Sequence, residues 1–184
     1  MKKKKKGFIE VATGFAAFFI VSVLVLTTFT IRRLDATKIQ VEDSLVTSNL
    51  AAAIIDVNEY GTTNNIIIAD YKKAYNQFCD ALKNNLNLDD GFKPRNNNFF
   101  KSKIDVVEFV IYNVKGNSIE EVKIGDKNIQ KKMYENNVGK LTTPDGAVIS
   151  STTIYSKIGF TIGGLSDDLY YKTKEISVDI VSNI

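Results

Sequence analysis

The chain contains no histidine. That absence removes histidine-based triads, most zinc sites and the commonest general base near neutral pH. Cysteine is almost missing as well. Cys79 stands alone, so no internal disulfide can form and the folded part must rest on its core. Cys79 lies in an apolar helical pattern, where an inert buried thiol is expected rather than a reactive one. There is no G-x-x-x-x-G-K-[ST] to cradle phosphates, no G-x-S-x-G elbow and no dinucleotide glycine pattern. Adjacent carboxylates occur at Asp89–Asp90, Glu120–Glu121 and Asp167–Asp168, each in or beside a turn or exposed edge and none at calcium-loop spacing. No catalytic residue, cofactor site or metal site is expected. An enzyme reading would need the fold to bring these carboxylates together.

Positive charge is scarce where the net value suggests plenty. The formal charge is +3, but residues 1–33 hold seven Lys+Arg against one acid. The rest carries 17 Lys+Arg against 20 Asp+Glu, a net −3. The basic excess belongs to the N-terminal flank, and no nucleic-acid footprint is expected beyond it.

What the chain does have is one long apolar run. Between Val11 and Ile31 lie 21 residues without a charge, preceded by MKKKKKG and followed by Arg32 and Arg33. As a helix that run spans roughly 31 Å, the thickness of a bilayer's hydrocarbon core. Ser22, Thr27, Thr28 and Thr30 can bond back to their own helix, leaving it apolar all round. A single-pass transmembrane helix is expected over residues 8–33, after a basic cytoplasmic leader at 1–7. Five lysines before the run and two arginines after it put the N-terminus in the cytoplasm and the rest outside. A cleaved secretory signal is the competing reading, but the run is long and no A-x-A-like site follows it.

Residues 34–61 read as an amphipathic continuation of the same helix, with neither Pro nor Gly before Gly61. Val46, Leu50, Ala53 and Val57 form one stripe, and Leu34, Val41 and Leu45 an adjoining one. Gly61 marks the expected stop. Residues 62–184 form the expected extracytoplasmic domain. A second helix carries Tyr71, Ala74, Tyr75, Phe78 and Leu82 at helical spacing, with Asn65 or Asp70 as cap. NLNLDDGFKPRNNN reads as a loop. SKIDVVEFVIYNV reads as a central strand, KGNS as a turn and IEEVKI as its partner. Residues 126–137 are polar and read as a short helix or loop. A short strand near Lys140, a TTPDG turn, AVISSTTIY, a strand through Ile158, Phe160 and Ile162, and KEISVDIVSN complete the chain. The fold class is α+β: a long N-terminal helix leading into a small domain with a second helix and an antiparallel sheet.

Glu10 lies at the cytoplasmic edge of the apolar run. Either it sits at headgroup depth beside the lysines, or it has a partner, since an acid within a membrane segment is expensive and usually paired. Gly14, Ala16 and Ala17 offer small residues for close helix approach.

A basic N-terminus, Gly7-Phe8, a glutamate just inside a long apolar helix, an amphipathic extension and an antiparallel domain together resemble the type IV pilin and pseudopilin plan. Through KKKKKGFIEVATGF and VEDSLVTSNLAAAIIDVNEYG the chain is more similar to the TadE-like minor pilins of the tight-adherence (Tad) apparatus of Firmicutes, over residues 1 to about 61. The resemblance implies cleavage between Gly7 and Phe8 by a prepilin peptidase. It also implies that Glu10 pairs with the freed amine of a neighbouring subunit. After such a cut Glu10 is the third residue, where the family's acid is the fifth. The implied role is structural and non-enzymatic, in assembling or priming a surface pilus with other pilin subunits and their assembly machinery. The alternative of a different class is a signal-anchored extracellular domain that binds a ligand or a surface.

Overall fold

The computed structural model of the chain describes residues 2–96, 99–125, 128–163 and 169–181, and the side chains from residue 7 onward. The fold is α+β, with a long apolar N-terminal helix and a five-stranded antiparallel sheet. The chain divides into two compact units, residues 1–39 and 40–184.

Helix α1 runs Lys2–Ala52. It stops short of the expected end near Glu59, and Gly61 is not its terminus. Asp56 explains the difference. Its side chain accepts from the backbone N–H groups of Asn58 and Glu59, capping a separate helix α2, Val57–Thr63. Its own N–H bonds the Ile67 carbonyl, which pins the junction. A local cap of this kind is worth about 1 kcal/mol, enough to divide an otherwise unbroken helical pattern.

The face that α1 buries in the second unit also differs from the expected stripe. Leu50 and Val57 are exposed, while Val41, Ser44, Leu45, Ser48, Asn49 and Ala52 are buried. The spacing is still helical, but half the buried positions are small and polar. Their polar atoms find backbone partners: Ser48 Oγ bonds the Ser44 carbonyl, and Asn49 Nδ2 faces the Ile154 and Ile176 carbonyls at 3.4 and 3.3 Å.

Helix α3, Tyr71–Asn85, forms as expected, capped by Asp70, whose carboxylate accepts from Lys73 N–H. It buries Ala74, Phe78 and Leu82. Phe78 stacks on Phe109 at 4.8 Å between ring centres.

The sheet order is β3-β2-β1-β4-β5, built from β1 (Asp105–Lys115), β2 (Ser118–Ile124), β3 (Ile129–Glu135), β4 (Thr152–Gly163) and β5 (Leu169–Ile180). Strand β1 is central and buried on both faces from Phe109 to Asn113, as its doubly apolar pattern predicts. Its turn into β2 is Gly116-Asn117, with Gly116 at φ 56. One face carries the main core with α3 and the end of α1. The other carries a second core of Val110, Tyr112, Ile119, Ile149 and Tyr155, covered by Val138 and Leu141.

Three sheet expectations change. The polar stretch read as a short helix or loop contains the edge strand β3. Residues near Lys140 make only the isolated bridge Thr142↔Val148 rather than a strand. AVISSTTIY and the run through Ile162 merge into the single strand β4, paired along its whole length with β5.

Candidate functional site

The apolar part of α1 is the feature with no counterpart inside the molecule. Its most apolar stretch has a mean hydropathy of 2.3 and none of it is buried. Phe8, Phe15, Phe18 and Phe29 are all about 70% exposed or more. The hydroxyls along it donate to carbonyls one turn back: Thr13 to Ile9, Ser22 to Phe18, Thr27 to Val23, Thr28 to Leu24 and Thr30 to Leu26, all at 2.8–2.9 Å. With those groups satisfied, the segment presents hydrocarbon on every side. The helix is long and apolar enough to cross a membrane.

The residues singled out by sequence all lie in this helix. Gly7, Glu10, Gly14 and Ala17 recur at i, i+3, i+7 and i+10 and share one face. Phe8 and Ala16 do not: Ala16 follows Gly14 by two residues, about 200° of rotation, which puts it on the opposite side. A Cβ added at Gly7 or Gly14 would meet nothing within 4 Å. Neither glycine is required by a contact in the described structure.

In the second unit the paired carboxylates are spent on structure. Asp89 Oδ1 accepts from Gly91 and Lys93 N–H at 2.9 and 2.8 Å, tying a loop. Asp90 is exposed, 4.0 Å from Lys83. Glu120 and Glu121, adjacent on β2, point to opposite faces. Glu120 accepts from Tyr71 Oη at 3.0 Å and Lys131 Nζ at 3.1 Å. Burial raises its pKa, and these two hydrogen bonds outweigh that, so the carboxyl titrates below its ordinary value. Glu121 accepts from Tyr134 Oη at 2.7 Å. Asp167 and Asp168 lie outside the described residues. Among the described residues no group of three or more His, Cys, Asp or Glu is placed to hold a metal ion.

On the face away from α3, cross-strand charges neutralise one another. Lys123 meets Glu108 and Lys157 meets Glu175, both at 2.9 Å, and Glu108 sits opposite Lys157. Tyr155, fully buried, donates to Glu175 at 2.6 Å. Burial first and that bond second push the phenol's pKa up, and the same bond leads in holding the Glu175 carboxyl below its ordinary value. Cys79 is half-buried on α3 against the main core. A depression of about 300 Å³ beside Asn64, Asn65, Ser151 and Thr152 has no titratable side chain in its lining.

Sequence reading missed one surface. Leu169, Tyr170 and Tyr171 open β5 and are about half exposed or more. Register places them beside Thr161 and Ile162, next to Phe99–Lys103. Their signal was an aromatic pair followed by a lysine at a strand start, which reads equally as core. No protein-family model, curated protein or solved structure matches this chain.

Proposed function

We propose that the chain is a membrane-anchored structural subunit, a minor pilin or pseudopilin-like component of a surface pilus or secretion apparatus. The apolar length of α1, exposed on every side and preceded by five lysines, is the observation that carries this reading. A water-soluble domain does not leave an uninterrupted hydrocarbon cylinder bare, and a bilayer covers such a cylinder without a partner surface. The lysines hold the N-terminus in the cytoplasm, and residues 40–184 lie outside the cell membrane. Subunits meet along the Gly7, Glu10, Gly14 and Ala17 face, where small residues allow close approach and Glu10 meets a neighbour's amine or lysine.

The test is a pull-down of Glu10→Gln against wild type at equal membrane levels. A charge-assisted bond is worth about 1.5–3 kcal/mol, so its loss weakens association roughly tenfold to a hundredfold. The variant should insert and fold, yet fail to recover pilus partners. Equal recovery removes the pairing role. The intact mass of the mature protein from membranes tells apart an anchor starting at Met1, a chain starting at Phe8 after peptidase cleavage, and loss of the whole apolar run as a secretory signal.

A signal-anchored ligand-binding or adhesion domain is the second reading, and it draws on the depression beside Asn64 and Ser151. Its volume of about 300 Å³ stands at the lower limit of small-molecule sites.

A further inference from the structure

We infer that the end of the sheet where β5 begins is a second, peripheral membrane contact, resting on the lipid headgroups beside the anchor. The inference rests on the proposal that α1 spans a bilayer. Within residues 40–184, α1 runs alongside β5 in the same direction. Glu42 holds the Lys174 ammonium at 2.9 Å, and Asn49 reaches the Ile154 and Ile176 carbonyls. The chain therefore enters this unit, at Gln40, on the side where β5 starts. From Lys174 back to Leu169 the strand reaches about 17 Å further toward that side. Glu42 is only nine residues from Arg33, a tether of about 14 Å as a helix. The two lengths are comparable, so this end of the sheet lies within reach of the bilayer surface.

Its chemistry suits that location. Leu169, Tyr170 and Tyr171 are 65, 48 and 56% exposed, and Lys101, Lys103 and Lys172 are exposed around them. Phe99 packs edge-on against Phe100, and Phe100 against Phe160, which makes a rigid aromatic footing. Lys101 N–H bonds the Thr161 carbonyl, and Phe100 bridges Ile162, which pairs with Tyr170, so these groups form one continuous surface. Residues 99–103, 161–163 and 169–172 contain no acid. Tyrosine with an apolar body and a wet hydroxyl, an adjacent leucine and lysines with long stems are the side chains that settle at a membrane–water interface. The connection 164–168, which carries Asp167 and Asp168, lies outside the described residues and is no part of this surface.

The chain has no tryptophan, so one introduced tryptophan reports alone. Full-length protein is placed in vesicles of phosphatidylcholine with a minority of phosphatidylglycerol, brominated near the headgroup end of the acyl chains or deep within them. Phe18→Trp monitors the anchor, Leu169→Trp the proposed contact, and Asn117→Trp the opposite end of the sheet. The expected pattern is loss of Phe18→Trp emission in deep-brominated lipid, loss of Leu169→Trp emission in shallow-brominated lipid, and none for Asn117→Trp. Adding Lys101→Glu, Lys103→Glu and Lys172→Glu should reduce the Leu169→Trp quenching, since each lysine at an anionic surface contributes roughly fivefold in binding. Quenching at Phe18→Trp but not at Leu169→Trp overturns the inference and leaves the anchor standing. No quenching at Phe18→Trp overturns both. Leu169→Trp shielded from aqueous iodide yet untouched by brominated lipid means that a protein covers the surface, which also overturns the lipid contact.

Discussion

Two asparagines are buried in the second unit, and the structure predicts opposite consequences for removing them. Asn113, on β1, is 1% exposed. It accepts from the Ile68 N–H at 2.9 Å and donates to the Ile68 carbonyl at 3.0 Å, imitating a strand pair with its side chain. Ile68 is itself fully buried, so Asn113→Ala strands a donor and an acceptor where water does not reach. Each stranded group costs about 1–3 kcal/mol, so a loss of about 3 kcal/mol is a conservative expectation. Asn49 is equally buried, but its Oδ1 has no partner among the described residues and its two donor contacts are long. Asn49→Ala removes an unpaired acceptor along with two weak bonds, and the net change should stay within about 1 kcal/mol. The assay is thermal unfolding of the full chain in detergent, read by near-ultraviolet circular dichroism. Far-ultraviolet signal is unsuitable because α1 dominates it, whereas buried Tyr112 and Tyr155 report on the sheet. At about 2–4 °C per kcal/mol for a unit of this size, Asn113→Ala should melt roughly 6–12 °C lower and Asn49→Ala within about 4 °C of wild type. Equal losses, or a smaller loss at Asn113, would refute the reasoning.

Other expectations follow from particular contacts. A Cβ at Gly159 would fall 1.8 Å from Tyr171 Oη, but Tyr171 is an exposed side chain that can swing away, so Gly159→Ala should cost no more than about 1 kcal/mol in the same melt; a loss comparable to Asn113→Ala would show that the ring is fixed. The Glu175 carboxyl titrates below its ordinary value of 4.5 because of Tyr155 and then Lys157, so its contribution is present above about that pH and is lost as pH falls through the lower folded value. Glu175→Gln should therefore flatten the acid limb of the stability–pH curve, and a limb identical to wild type would refute the assignment. In a Cys79→Ser background, a membrane-impermeant maleimide on intact cells should label Asn117→Cys and spare Lys4→Cys; the reverse pattern would invert the topology.

Where hydropathy and contact coincide, the fold was legible in the sequence. Helix α3 buries the residues its spacing marks, and β1 is buried on both faces because both of its alternating sets are apolar. The misreadings share a physical cause, which is that polar side chains did structural work. Ser44, Ser48 and Asn49 form part of the buried face of α1, and a hydropathy stripe cannot find such a face, so Leu50 and Val57 drew the assignment although solvent surrounds them. Strand β3 escaped because IQKKMYE is polar on both faces. It is an edge strand with only Tyr134 partly covered, and its consecutive lysines suit an edge that must not pair further.

The candidate site was legible to a different degree, because a bilayer is recognised by what a helix lacks rather than by which residues it holds. Twenty-one uncharged residues and a lysine cluster define the apolar segment with no knowledge of packing. Which face of that segment meets another helix depends on rotation about its axis, and composition does not carry that. Gly14, Ala16 and Ala17 look alike as small residues, yet one helical turn puts Gly14 and Ala17 beside Glu10 and turns Ala16 away. The tyrosines of β5 show the same ambiguity in a strand. Tyr170 and Tyr171 alternate in direction, and Tyr155, on the neighbouring strand, is fully buried while they are not. What separates them is position: Tyr155 lies beneath the cover of Val138 and Leu141, whereas Tyr170 and Tyr171 stand at the open end of the sheet. Aromatic character alone therefore does not tell a core from an interface, and the distinction enters only with the register that places each ring along its strand.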